Sequence, residues 1–350
     1  MRLLFASQHN HLPEAYGGEE INTHTLCGVL AGRGVTCSVL CALHREGGFS
    51  LRKRLRMKLT GRRFVVDTGL GYPVMRGWDS FAGAPVAAGT FRPDLVVVQG
   101  YTWPRLAARF AQLGLPVLVY LHSADEVAKL AELPPDGGIG LLLSSGYLAS
   151  LLPAGVAATV MPPLVLPERY RVEPERKVVT YFNPQRGKGL DVAIRLVQAR
   201  PDVTFEFVLG RHAPPADWRE LDFVPGRFRN VVVAGPFTDM MPVYRRSRLI
   251  LMPSRWAESW GRVVTEAQLS GIPVLASNRG ALPDTVGAGG VCLDPDAPAA
   301  EWEAAFAAIW DDAGRYDALC AAARTHAARA EIAPEVISNN FLRAAAALVA

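Results

Sequence analysis

Short apolar runs alternate with stretches of helical length almost throughout the chain, and this alternation confines the fold more than any other feature. Arg2–Ser7, Val35–Leu43, Asp94–Gly100, Pro116–His122, Ile139–Ser145 and Ala158–Pro163 read as strands, with helices predicted over Glu19–Arg33 and Thr102–Leu113. A second set, Lys177–Asn183, Val203–Gly210, Asn230–Gly235, Leu249–Ser254 and Pro273–Ser277, leads into an Ala-rich helical tail from Ala299. Strands apolar on both faces belong in a parallel sheet covered by helices above and below. Alternation of β and α elements at this spacing predicts doubly wound α/β sheets. The chain has 350 residues, and domains usually hold about 100–200, so two domains are expected. Pro162, Pro163, Pro167 and Pro174 make Met161–Arg176 the linker between them. The expectation is therefore two Rossmann-like parallel-sheet domains facing a cleft, with ligands bound beyond the carboxyl ends of the strands.

Several classes are excluded early. The longest apolar runs, such as Leu95–Val98 and Val117–Leu121, fall far short of the roughly 18 residues of a membrane span. The opening segment Met1–Ser7 is too short and turns polar too soon to read as a signal peptide, so a cytoplasmic protein is expected. The five cysteines, at 27, 37, 41, 292 and 320, contain no Cys-x-x-Cys pair, which argues against a disulfide framework or a zinc site. Net charge is +4, too small for a nucleic-acid-binding coat. No P-loop, no Gly-x-Gly-x-x-Gly after a strand and no His-Glu-x-x-His occurs. Asp294-Pro-Asp296 is formally an Asp-x-Asp metal motif, but its Pro-containing context reads as a turn.

The most informative segment runs from Pro253-Ser254 through Glu258-x-x-Gly261 and Glu266-Ala267 to Gly271-Ile-Pro-Val274. A buried strand ends in Pro-Ser, a loop carries Glu258, and a helix starting near Gly261 carries Glu266. Free N–H groups at a helix start suit an anion. Two acceptor-only carboxylates on either side suit hydroxyl-bearing groups flanking a phosphate. Taken alone, the same spacing also fits a capping Glu258 and a surface Glu266.

This block closely resembles that of the retaining GT-B-fold glycosyltransferases known as group 1 or family 4. Further matches follow in order: Gly17-Gly18-Glu-Glu20 with Arg33-Gly34-Val35, Leu121-His122-Ser-Ala-Asp125, Lys188-Gly189-Leu-Asp191 and Asn278–Val286. The resemblance implies a donor-binding domain at 167–333 and an acceptor domain at 1–166, with a helix at 334–350 returning to the latter. It implies that Glu266 binds the ribose hydroxyls of a UDP- or GDP-linked sugar and that Glu258 holds a hydroxyl of the transferred sugar. Backbone N–H groups of Ser259, Trp260, Gly261 and Arg262 would meet the diphosphate, with Lys188 neutralising its departing charge. Gly17 and Gly18 would form the glycine loop on the donor, and His122 would lie near the reacting sugar. His9 and His11 follow the first strand and are expected at the acceptor pocket. With no metal motif and no cofactor fingerprint, metal-independent transfer is expected.

One departure stands out. Family members commonly carry an Arg five residues before the Lys, and this chain has Asn183, with Arg186 as the substitute cation. The fold also serves sugar-nucleotide epimerases and phosphorylases, and a non-catalytic nucleotide-sugar-binding subunit is a further alternative. The acceptor is left open among glycan, lipid-linked and small-molecule hydroxyls.

Charge is not evenly spread. Between Arg45 and Arg63 stand eight basic residues and one acid. Within 49–59, Leu51, Leu55 and Leu59 recur at helical spacing with Arg52, Lys53, Arg56 and Lys58 alongside. One reading is a helix lying on an anionic membrane surface, placing the protein peripherally on the inner leaflet near a lipid-linked acceptor. The other has the leucines packed on the first domain, with the cations solvated or binding a soluble anion.

Overall fold

The computed structural model describes residues 1–43, 48–132, 138–210, 218–219 and 223–349; Arg45 and Glu46 of the basic run lie outside these. The chain divides into two compact units, Met1–Leu164 with Pro334–Ala350, and Val165–Ala333. Each is a sheet with helices, as the β/α alternation predicts.

The first sheet contains β1 (Arg2–Asn10), β2 (Thr36–Ala42), β3 (Phe64–Asp67), β4 (Val74–Gly77), β5 (Leu95–Gln99), β6 (Val117–Leu121), β7 (Ile139–Leu143) and β8 (Thr159–Val160), in the order β3-β4-β2-β1-β5-β6-β7-β8. Pairing is parallel except between β3 and β4. This antiparallel edge is a correction to an all-parallel expectation. Both strands are short, and β4 carries Arg76, a charge that in sequence argues against a buried strand. Arg76 is nevertheless fully buried. Its guanidinium donates to Asp67 at 2.7 Å, to Glu14 at 3.3 Å and to the Leu12 carbonyl, so the charge is paired. Helix α1 (Gly18–Ala31) follows β1, and α2 (Gly48–Thr60) precedes β3. The buried strand residues Leu4, Ala6, Val96, Val98, Val117 and Val119 pack with Trp103, Leu106 and Phe110 of the helix Trp103–Ala111.

The second sheet contains β9 (Val178–Phe182), β10 (Phe205–Val208), β11 (Val231–Ala234), β12 (Ser247–Met252), β13 (Val274–Ser277) and β14 (Gly290–Leu293), in the order β11-β10-β9-β12-β13-β14. All pairs are parallel. This is the dinucleotide-fold strand order, which reverses between β9 and β12 and opens a crevice at their carboxyl ends. β14 has no counterpart among the strands read from the sequence. It directly precedes Asp294. Among the described residues no helix is long and apolar enough to cross a membrane. Four of the five cysteines are buried and all are unbridged.

Candidate active site

In the second unit, Lys188 and the loop 253–261 come from the two strands that flank the reversal. Lys188 closes a 3-10 turn, Arg186–Lys188, after β9; the loop leaves β12 and ends at the helix Arg262–Gln268. Two glycines let these segments touch. Gly187 accepts from the Arg255 N–H at 3.0 Å, and a Cβ there would lie 2.6 Å from the Trp256 ring. Gly189 has φ +78°, and a Cβ on it would stand 1.9 Å from the Pro253 carbonyl oxygen, so only glycine fits. Arg255 clamps the loop from the other side, reaching Asp191 at 2.5 Å and Asp296 at 2.6 Å.

This framework brings Lys188 and Glu258, seventy positions apart, into direct contact. The Lys188 ammonium donates to Glu258 Oε1 at 2.5 Å. Ser254 Oγ at 2.6 Å and Trp256 Nε1 at 2.9 Å donate to the same oxygen. The ammonium also lies over the Trp256 ring, 4.7 Å from its centre, a cation–π contact. The Glu258 backbone is pinned against Gly280, whose φ is +63°, and its carbonyl accepts from the Ala281 N–H at 2.8 Å. The pair sets a cation that can oppose developing phosphate charge beside a carboxylate that can orient a sugar hydroxyl.

Glu266 is buried, which excludes a surface role. Tyr244 donates to Oε2 at 2.6 Å and Arg262 Nε to Oε1 at 3.2 Å. The Arg262 guanidinium is itself buried and also donates to Tyr170. Burial followed by the Glu266 charge drives the Tyr244 hydroxyl far above its ordinary pKa, keeping it a donor. Trp260 is a buried residue whose indole N–H donates to Thr265 Oγ1 at 3.0 Å, so its side chain is structural and only its backbone is available to a ligand. Ser259 is partly exposed, and Gly261 caps the helix with φ +84°. Asn183 lies exposed at the end of β9 with φ +51°, a left-handed conformation that asparagine tolerates better than most residues. Arg186 is exposed three positions further on.

The Asp294–Asp296 pair is a turn, with the Asp296 N–H donating to Asp294 Oδ1 at 2.8 Å. Arg255 and Arg279 engage its carboxylates. Among the described residues no cluster of three or more His, Cys, Asp or Glu side chains could hold a metal.

The first unit holds a second constellation. His122 follows β6, and its Nε2 lies 3.0 Å from Gln99 Oε1; because the Gln99 amide nitrogen donates to Thr23, the imidazole N–H is the donor here. Glu126 Oε2 accepts from the His122 N–H at 2.6 Å. Glu19 and Glu20, next to Gly17 and Gly18 at the start of α1, complete the group. His9 Nδ1 stands 3.7 Å from Glu19, which raises the His9 pKa to about 9. Burial, then the charge of Glu19, pushes Glu20 up to about 7 and raises Glu126 also. These three carboxylates were not singled out in the sequence. Ser123-x-x-Glu126 carries a capping signature that would have marked one of them. His11, by contrast, is a core residue. It is hydrogen-bonded to Tyr72 at 2.9 Å, and burial and then Arg76 lower its pKa to about 3. With His9 it lines a small cavity after the first strand, beside Glu19, Glu20 and Gln99.

The two units have the fold of the two-domain GT-B glycosyltransferases. Anabaena HepE in complex with UDP-glucose superimposes with a TM-score of 0.78 at 17% identity, over 99% of this chain and 100% of that one. The catalytic domain of Starch Synthase IV from Arabidopsis thaliana, bound to ADP and acarbose, gives 0.71 at 12% identity, covering 99% of each chain. At these identities the likeness is one of fold. Residues 179–312, most of the second unit, match the family described as glycosyl transferases group 1. Among curated relatives, D-inositol 3-phosphate glycosyltransferase from Corynebacterium kroppenstedtii is 40% identical over 96 residues, 27% of this chain and 21% of that protein. The Corynebacterium glutamicum protein of the same name is 33% identical over 150 residues, 39% of this chain and 35% of its own length. The matched stretches thus span about a fifth to a third of these relatives.

Proposed function

We propose that this chain is a retaining glycosyltransferase that moves a sugar from a nucleotide diphosphate donor to a hydroxyl acceptor. The observation that carries the reading is the Lys188–Glu258 contact at the carboxyl ends of β9 and β12. It lies within the segment that matches the group 1 family. In this mechanism the bond from the anomeric carbon to the diphosphate breaks and a bond to the acceptor oxygen forms on the same face. The acceptor proton passes to the departing diphosphate. Lys188 exchanges its carboxylate partner for the diphosphate and stabilises the charge that grows there, which lowers the barrier more than it tightens the ground state. Glu258, held by Ser254 and Trp256, orients a hydroxyl of the transferred sugar. Glu266, behind Tyr244 and Arg262, holds the ribose. The backbone N–H groups of Ser259 to Arg262 meet the diphosphate, and none of these steps uses a metal.

A UDP-linked donor is favoured, because HepE was crystallised with UDP-glucose. The names of the curated relatives make an inositol phosphate the first acceptor to try. Asn183, in place of the family's Arg, favours one second reading, a nucleotide-sugar-binding subunit without turnover.

A thermal-shift screen against UDP-, GDP-, ADP- and dTDP-sugars tests both. A true donor at a hundred times its Kd should stabilise the protein by about 2.7 kcal/mol. Nucleotide release with acceptor present, undiminished in excess EDTA and reduced about a hundredfold or more in Lys188→Ala, is the expected result. Binding without release across the acceptor panel would establish the second reading. Loss of turnover with EDTA, restored by Mg²⁺, would overturn metal-independent transfer.

A further inference from the structure

Helix α2 (Gly48–Thr60) is amphipathic in the inverted sense. Its inward face is Ser50, Lys53 and Met57: Ser50 donates to Glu14, Lys53 pairs with Asp67 at 2.9 Å, and Met57 packs with Leu43 and Val65. Leu51, Leu55 and Leu59 are instead 58%, 57% and 78% exposed. At about 100° per residue, the centre of this leucine line lies roughly 170° around the helix from the inward face. A surface helix ordinarily turns its apolar stripe to the core. Here the core-facing side is half polar and the outward side is leucine, so packing of these leucines on the first unit is ruled out.

The surroundings of the stripe are cationic. Arg52 and Arg56 flank it on one side and Lys58 on the other, all exposed, and the exposed Arg62 and Arg63 follow the helix. Trp78, 46% exposed after β4, lies under the Arg54 guanidinium at 5.9 Å. From Leu51 to Leu59 the line runs about 12 Å along one side, the geometry of a helix lying flat. Leucine with flanking Lys and Arg matches the acyl boundary and the phosphates of a bilayer, each layer met by one part of the same helix.

We propose that α2 docks this protein on an anionic lipid bilayer, with Leu51, Leu55 and Leu59 at the acyl boundary and Arg52, Arg56 and Lys58 on lipid phosphates. The inference is independent of glycosyl transfer and is tested without donor. The full chain is sedimented with vesicles of phosphatidylcholine alone or with about 30% phosphatidylglycerol, at low salt and at about 0.5 M. Expected is binding to the anionic vesicles only, lost at high salt as the charges are screened. Each cation near the surface strengthens binding about fivefold, so a combined R52Q, R56Q and K58Q variant should weaken it about a hundredfold. A combined L51S, L55S and L59S variant should keep the parent Tm, since these side chains are exposed, and lose at least about tenfold in binding.

Absence of binding at low salt would overturn the proposal. Binding undiminished in the leucine variant would also overturn it, leaving a face for soluble anions. Self-association without lipid, abolished by the leucine substitutions, would overturn it in favour of a contact between copies.

Discussion

The contact between Lys188 and Glu258 can be measured as a coupling energy. The two side chains are 16% and 11% exposed, with N–O at 2.5 Å. A unit charge pair at 4 Å gains about 4 kcal/mol at an effective dielectric near 20, and more at closer range. Desolvation of both groups offsets much of that. What survives is the value of a charge-assisted hydrogen bond, about 1.5–3 kcal/mol. The test is a double-mutant cycle with Lys188→Met and Glu258→Gln, followed by thermal and urea unfolding of the parent, both single variants and the double. Each single change should destabilise, because it strands the remaining partner in a mostly buried place. The double variant should be more stable than the sum of the two losses predicts, by about 2 kcal/mol. For a unit of this size that coupling corresponds to roughly 4–8 °C in Tm. Ser254 and Trp256 still donate to residue 258 in the Gln variant, so that change should be the milder of the two. A coupling below about 0.5 kcal/mol would refute the reasoning and mean that water, not Glu258, holds the ammonium.

Gly189→Ala should lower stability by at least about 2 kcal/mol, since its Cβ meets the Pro253 carbonyl oxygen at 1.9 Å, and urea unfolding would read the loss. Gly280→Ala, whose Cβ would lie 2.3 Å from the Glu258 carbonyl oxygen, should impair donor turnover as well as stability. Glu266→Ala would remove the carboxylate beside the buried Arg262 charge and destabilise the unit, so Glu266→Gln is the informative change; it should weaken nucleotide affinity in calorimetry while largely keeping Tm. His9 is raised from 6.5 to about 9, so its contribution to stability is complete below pH 6.5 and disappears as pH rises to about 9. Its side chain is 45% exposed, which holds the amplitude to about 1 kcal/mol or less, and His9→Gln should flatten the fall in Tm over that window. Glu20, raised to about 7, adds a separate fall between about pH 4.5 and 7, where the carboxyl ionises in the unfolded chain but keeps its proton in the folded one, and Glu20→Gln should remove it.

The α/β architecture with two sheets was legible along the chain, because a strand covered on both faces must be apolar throughout and that pattern is local. So were the segments that would supply the candidate donor site, since Pro253–Val274 and Lys188–Asp191 carry recognisable patterns of glycine and charge. Partnership was left to the tertiary structure. Lys188 meets Glu258 only because Gly187 and Gly189 admit the loop after β12 against the turn after β9. Arg76 reads as a surface charge until Asp67, Glu14 and the Leu12 carbonyl close around it, and the antiparallel edge strands depend on that closure. The side chain of Trp260 is buried, its indole N–H donating to Thr265 Oγ1, a placement that its position in the loop did not disclose. The cluster of Glu19, Glu20 and Glu126 with His9 and His122 gathers side chains from more than a hundred positions along the chain; burial raises Glu20 and Glu126, and the Glu19 hydrogen bond raises His9, which no local pattern encodes. Helix α2 makes the same point in reverse. Its period was plain in the sequence, but a period fixes only which residues share a face. Which face meets water was decided by Asp67, Glu14, Leu43 and Val65, the partners that hold Lys53, Ser50 and Met57 inward.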